Sequence, residues 1–287
     1  MLLTAGLCLI LAIGVDAQAQ TLYALDLTEP LSESDALCMK MSQYSAVFLR
    51  AYAPSLIDGF EEHVCQSIWN AQKGLHLLTK NYPTTPTTPM ENTPFLAGLG
   101  VEVFMTPTRP SYENGADQFN RLYQGLQGCK ITAKSVWLQV ISPAEWGFSS
   151  SQASIDFINQ VLRQASVCLD VFPLFYLLRL WIPLKSYGVA AGIYTSQGEW
   201  TRITSGVEML ASPTRLWYWN VNDPGPMGAT PANFSDFHAF GPWTSPTVKQ
   251  FGQEIRVCGH TANTYVISTT LSKMLSIAYT YIQETTL

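Results

Sequence analysis

An aspartate stands alone in the apolar run Tyr23-Ala24-Leu25-Asp26-Leu27. A carboxylate in a buried strand must be paired, neutral or functional, because desolvating an unpartnered charge is costly. Asp26 therefore reads either as a strand-end cap for the following turn or as a catalytic or ligand-facing acid. Aromatic side chains supply a second chemistry. The chain holds eight Trp and thirteen Tyr, whose rings can stack on sugar faces or simply pack a core. The four His are scattered and no CxxC pair or His/Cys cluster has zinc-ligand spacing, so no metal or cofactor is expected.

The elements that must position these residues follow from periodicity. Short β-rich apolar runs alternate with stretches of helical period, the pattern of parallel strands joined by crossover helices. Strands are expected near Tyr23 to Leu27, Ala46 to Arg50, Gly100 to Met105, Ser135 to Ile141, Val189 to Tyr194, Leu216 to Val221, Val248 to Gly252 and Asn263 to Ile267. Eight such strands suggest a barrel, with the active site at their C-terminal ends. The positions there are Asp26, Arg50, Tyr52, Met105, Gln139, Ile141, Tyr194, Trp219 and Gln253. Helices are expected after Ser34, from Gly115, over His63 to Gln72, and after Ser149 or Ser150.

Two stretches break this rhythm. Residues 75–95 carry the Pro/Thr run Tyr82 to Pro89, an exposed loop. Residues 167–184 are strongly apolar but interrupted by Asp170, Pro173, Arg179 and Pro183, which argues against a membrane span. At the start, an apolar run and Ala17-Gln18-Ala19 have the form of a secretory signal with its cleavage site, so residues 1–19 are expected to be removed and 20–287 to form one domain. A net charge of −5 without a Lys/Arg cluster argues against nucleic acid or an anionic membrane as partner. Cys38, Cys65, Cys129, Cys168 and Cys258 follow the signal, and an oxidising compartment favours at least one disulfide with one thiol left over.

The chain resembles the lysozymes of glycoside hydrolase family 25, in the branch of nematode and protist lysozyme-like proteins. The segments that carry the resemblance are Tyr23-Ala-Leu-Asp-Leu27, Gly100 to Pro107, Ser135 to Trp146, Gly192-Ile-Tyr-Thr195, Leu216 to Val221, and Asn233 to Trp243 through Lys249 to Gly252. The resemblance implies an α/β fold, a modified (β/α)8 TIM-like barrel in a single domain. It also marks residues 75–95 and 167–184 as atypical insertions outside the barrel, either lineage-specific loops or translated introns, with the second reading favoured for 167–184.

In that family a first-strand carboxylate and an Asp-x-Glu at the end of the fourth strand meet at the barrel mouth, and the Glu is the general acid. Asp26 matches the first, while Gln139 and Ile141 stand at the other two positions. The family's Asp on the last strand is also missing from Thr261-Ala-Asn-Thr-Tyr265. Isoleucine cannot deliver a proton, so the usual acid catalysis is closed at that position. Candidate substitute acids are Glu102, which alternation points into the lower barrel, and Glu145, in the loop after the fourth strand; Glu199 reads as serving the first turn of a helix. Gln139, Tyr194 and Trp219 are expected to touch sugar.

The function implied is a secreted lysozyme-like protein directed at bacterial peptidoglycan, in innate defence or digestion, acting as a monomer. The alternative is a glycan-binding or immune-modulating protein that keeps the barrel without turnover. An unrelated barrel-based lectin or chitinase-like protein lacks support, since no DxxDxDxE run is present to give chitinase chemistry. Barrel closure makes the first and last strands neighbours and predicts a Cys38–Cys258 disulfide, both cysteines being placed at the barrel bottom. Asn233-Phe234-Ser235 is a glycosylation sequon, although an Asn heading a turn explains it equally.

Overall fold

A computed structural model describes residues 21–53, 58–73, 98–108, 113–146, 150–166, 187–268 and 271. Its strands and helices run in the order β1 (Leu22–Leu27), α1 (Glu33–Met41), β2 (Tyr44–Tyr52), α2 (His63–Gln72), β3 (Gly100–Met105), α3 (Gly115–Gly128), β4 (Ser135–Gln139), α4 (Pro143–Trp146), α5 (Ser151–Ala165), β5 (Ala190–Thr195), α6 (Gln197–Thr204), β6 (Arg215–Trp219), β7 (Val248–Val257) and β8 (His260–Ile267). The strands close into one barrel in sequence order. The α/β barrel expected from the sequence is the fold observed.

Small polar caps start α1, α3, α5 and α6. Ser32 Oγ accepts from the Asp35 amide, Asn114 Oδ1 from Asp117, Ser150 Oγ from Ala153 and Ser196 Oγ from Glu199, each satisfying a donor that the helix leaves open. The cap of α1 is thus Ser32, two residues before the expected Ser34.

Two apolar layers hold the barrel. Outside, helices pack on strand residues such as Leu25, Val47, Val103 and Ile193. Inside, Phe48, Phe104, Trp137, Tyr194, Trp217 and Tyr265 fill the lumen. Trp217 is its hub, with ring centroids 4.5 Å from Phe48 and Tyr194 and 4.9 Å from Tyr265. Gly192 makes this layer possible: a Cβ there would lie 2.1 Å from Cε3 of Trp137.

The barrel departs from strict β/α alternation at its end. Residues 220–247 hold a 3-10 turn, Pro226–Gly228, and a lone antiparallel bridge between Phe240 and Trp243, and β8 runs antiparallel to both β7 and β1. Cys258 and Gly259, with φ of 50° and 85°, form the two-residue turn of that hairpin, a turn that needs positive φ at both positions. Its tip projects past the C-terminal end of β1, on the mouth side. Cys258 is therefore not at the barrel bottom, where a parallel last strand would put it. The hairpin tip bonds Cys38 in α1, with Cα atoms 5.8 Å apart. A second disulfide, unforeseen in the sequence, joins Cys65 of α2 to Cys129 at the end of α3. Residues 1–19, 75–95 and 167–184, and with them Cys168, lie outside the described residues.

The long loop between β6 and β7 is tied down from the barrel's outer face. Asp236 accepts hydrogen bonds from the fully buried Lys249 Nζ at 2.7 Å and from Tyr218 Oη at 2.8 Å, and Asn220 Nδ2 joins them. Burial opposes ionisation of Asp236, but the Lys249 ammonium and the two other donors outweigh it and hold its carboxyl below the usual range.

Candidate active site

Strand alternation sorts the residues at the barrel mouth. Register pairs Asp26 with Phe48 and Gln139 with Tyr194, so Asp26 and Gln139 point inward above the aromatic layer. Trp217 and Trp219 share the inner face, whereas Tyr218 faces out to Asp236.

Asp26 is held from β8. Its Oδ1 accepts from the Asn263 amide at 2.8 Å and its Oδ2 from Asn263 Nδ2 at 3.0 Å. Dense surroundings push its carboxyl above the usual range, against these donors and the nearby Tyr265 hydroxyl, which favour the charged form. The Tyr265 hydroxyl itself closes no hydrogen bond of normal geometry in its buried position. Asn263 occupies the strand from which the family's last-strand Asp is missing, and its amide group grips Asp26 instead.

At the end of β4, Gln139 Oε1 accepts from Thr106 Oγ1 at 2.6 Å. Ile141, half-buried, packs on the inner aromatic layer with Trp219. The fourth-strand end therefore presents an amide and an aliphatic side chain where proton transfer would need a carboxyl group. Tyr194 is buried in the layer, its hydroxyl donating to Gln250 Oε1 at 2.6 Å. Burial and the neighbouring Asp26 and Glu199 charges raise its hydroxyl well above the usual range. It forms the floor, and the half-exposed Trp219 is the ring that faces the mouth.

Neither candidate substitute acid reaches this site. Glu102 accepts from Ser135 Oγ and Trp137 Nε1 deep in the lumen, and burial raises its carboxyl. Ser135 is four residues below Gln139 on β4, about 13 Å at ~3.3 Å per residue, with Trp137 and Phe104 between. Glu145 is exposed on α4 and directed to solvent.

The acid that sequence reasoning missed is Glu199. Its backbone serves the first turn of α6 as expected, but its carboxylate turns to the mouth, where Oε1 accepts from the Ser142 amide at 3.0 Å and Oε2 from Trp219 Nε1 at 2.9 Å. The Ser196-x-x-Glu199 capping pattern hid it, because that pattern already gives a glutamate a local task. A further missed pair is Arg50 with Glu61, bonded Nε to Oε1 on the β2 side, with His63 on the other Glu61 oxygen. Among the described residues no group of three His, Cys, Asp or Glu side chains is arranged to hold a metal ion. Asn233 is exposed and heads a turn, its Oδ1 accepting from the amide and hydroxyl of Ser235.

Comparison with known proteins agrees with this barrel. The sequence profile of the family described as lysozyme-like protein 1 matches residues 17–97, 88–169 and 176–251. Lysozyme-like protein 7 of Caenorhabditis elegans is 36% identical over 241 residues, covering 84% of this chain and 70% of that protein. A probable family 25 lysozyme of Dictyostelium discoideum is 25% identical over 82% of this chain and 85% of its own length. Among solved structures, a bacterial lysozyme from Streptomyces coelicolor superposes with a TM-score of 0.56 at 13% identity, over 91% of this chain and 98% of that one. The family GH25 lysozyme of Aspergillus fumigatus gives 0.53 at 14% identity, over 91% and 100%. The chain belongs to the lysozyme-like protein family and has the barrel fold of the family 25 lysozymes.

Proposed function

We propose that this protein is a secreted monomer directed at bacterial peptidoglycan, in defence or digestion, which holds the glycan at its barrel mouth and cleaves it slowly. The observation that carries this reading is the pairing of a retained, anchored Asp26 with a fourth strand that ends in Gln139 and Ile141. The first preserves the carboxylate face of the groove; the second removes the acid that would protonate the leaving oxygen. Loss of such a group costs typically a hundred- to ten-thousand-fold in rate, while stacking and hydrogen bonding to sugar need no proton transfer. Trp219 supplies a ring at the mouth for a sugar face. The two disulfides and the N-terminal apolar run support export. Pull-down of the protein by purified bacterial walls, measured beside release of reducing ends from the same walls, tests the reading. Retention with slow release is expected.

A further inference from the structure

We propose that Glu199 is the second catalytic carboxylate of this mouth, partnering Asp26 in the slow cleavage. The inference rests on the reading that the mouth takes a glycan. Its ground is the position of one side chain. Glu199 starts on α6, yet its two oxygens are bonded to groups from the ends of β4 and β6: the amide of Ser142, adjacent in sequence to Ile141, and the indole of Trp219. The carboxylate thus lies beside the place where the fourth strand lacks one. Ser142 takes the left-handed conformation, φ 54°, as its amide meets Glu199.

A purely structural staple is a weaker account. The Ser196 hydroxyl caps α6 at the Glu199 amide and reaches Glu199 Oε2 only at a long 3.4 Å, whereas the bonds to Ser142 and Trp219 are shorter. Glu199 and Trp219 both remain half-exposed. Tyr194, on the floor, feels the charges of both Asp26 and Glu199. A two-carboxylate hydrolysis needs one acid protonated and one charged. Both acids accept at both oxygens, Asp26 from Asn263 and Glu199 from Ser142 and Trp219; burial pushes the Asp26 carboxyl above its usual range, so of the two Asp26 takes the proton-donor part. In the step assigned here, the Asp26 proton passes to the glycosidic oxygen as the bond from that oxygen to the anomeric carbon breaks. The oxygen of a water molecule bonds to that carbon, and Glu199 takes the water's proton. Exchange with solvent then restores both acids.

The test uses the full chain with dye-labelled peptidoglycan from Gram-positive walls. Glu199→Ala is expected to lower release about a hundredfold with wall retention and melting temperature kept, and added formate is expected to restore part of the release by filling the vacated carboxylate position. Trp219→Phe, which removes one donor and keeps a ring, is expected to retain more release than Glu199→Ala. The exposed Glu208→Gln serves as the unchanged control. Unaltered release in Glu199→Ala, or a loss that formate does not restore, overturns the proposal. Wild-type protein that binds walls and releases nothing overturns it too, while leaving the glycan-binding reading intact; failure of wild-type protein to bind walls removes both.

Discussion

Asn263 grips Asp26 with both of its nitrogen donors, the backbone amide on Oδ1 and the side-chain amide on Oδ2. The last strand thereby draws the first-strand acid back toward its charged form against the effect of burial. Removing the side-chain donor by Asn263→Ala weakens support for the charged form, so Asp26 is expected to titrate at still higher pH than in the wild type. The pH profile of residual release, or the carboxyl resonance of Asp26 followed by NMR, reads the shift directly; an unchanged or lower titration point would contradict it.

The Lys249–Asp236 pair makes a separate prediction about stability. Lys249 is fully buried, and Asp236 is its charged partner. Asp236→Asn leaves the ammonium uncompensated and is expected to destabilise the fold by about 3 kcal/mol, the low end for breaking a buried pair. The sign with pH follows from the lowered carboxyl of Asp236. Its contribution is present above the ordinary aspartate value and is lost as pH falls through the depressed one. Denaturant melts of wild type and variant are expected to converge in acid and to diverge toward neutrality.

The disulfide between Cys38 and Cys258 closes a span of 220 residues. Replacing both cysteines by alanine is expected to cost about 2–4 kcal/mol and to free the β7–β8 hairpin from α1. Because β8 also carries Asn263, residual release is expected to fall with stability. Denaturant unfolding with and without reductant checks the first part; a double variant as stable as the wild type would refute it.

Much of this was legible in the sequence because burial and alternation leave a simple imprint. The apolar runs marked all eight strands, and the barrel that they imply put Asp26, Gln139 and Trp219 at one end. Strand direction is less visible, since a period of two reads the same both ways. The turn Cys258-Gly259 was the available signal for a hairpin, and passing over it misplaced Cys258. Glu199 was hidden for a different reason: its neighbours in the chain explain it locally, and the two groups that give it another role come from β4 and β6, 57 and 20 residues away. Asp236 and Lys249 belong to the same class. Their pairing depends on how a long loop folds back on the barrel, which no local pattern encodes.

Restoring the fourth-strand acids is expected to raise cleavage. In Gln139→Asp with Ile141→Glu, the new glutamate stands on the half-buried site of Ile141, next to the residue whose amide binds Glu199. Like charge and an apolar floor both raise its pKa and favour its protonated form, the state that a proton donor needs near neutral pH. A gain of at least about tenfold in release is expected, against the hundred- to ten-thousand-fold typical of a complete general acid. No gain in a double variant that folds and binds walls would show that proton delivery at this position is not what limits the protein.

A mouth that holds peptidoglycan but lacks the fourth-strand acid should retain walls and cleave them slowly. The decisive quantity is the release rate per wall-bound molecule, set beside that of a family 25 lysozyme carrying the complete Asp-x-Glu on the same walls. Firm retention is expected, with release lower by a hundredfold or more, equivalent to about 3 to 5 kcal/mol of transition-state stabilisation. Release at the rate of the complete enzyme, or cleavage untouched by Asp26→Asn, would contradict it.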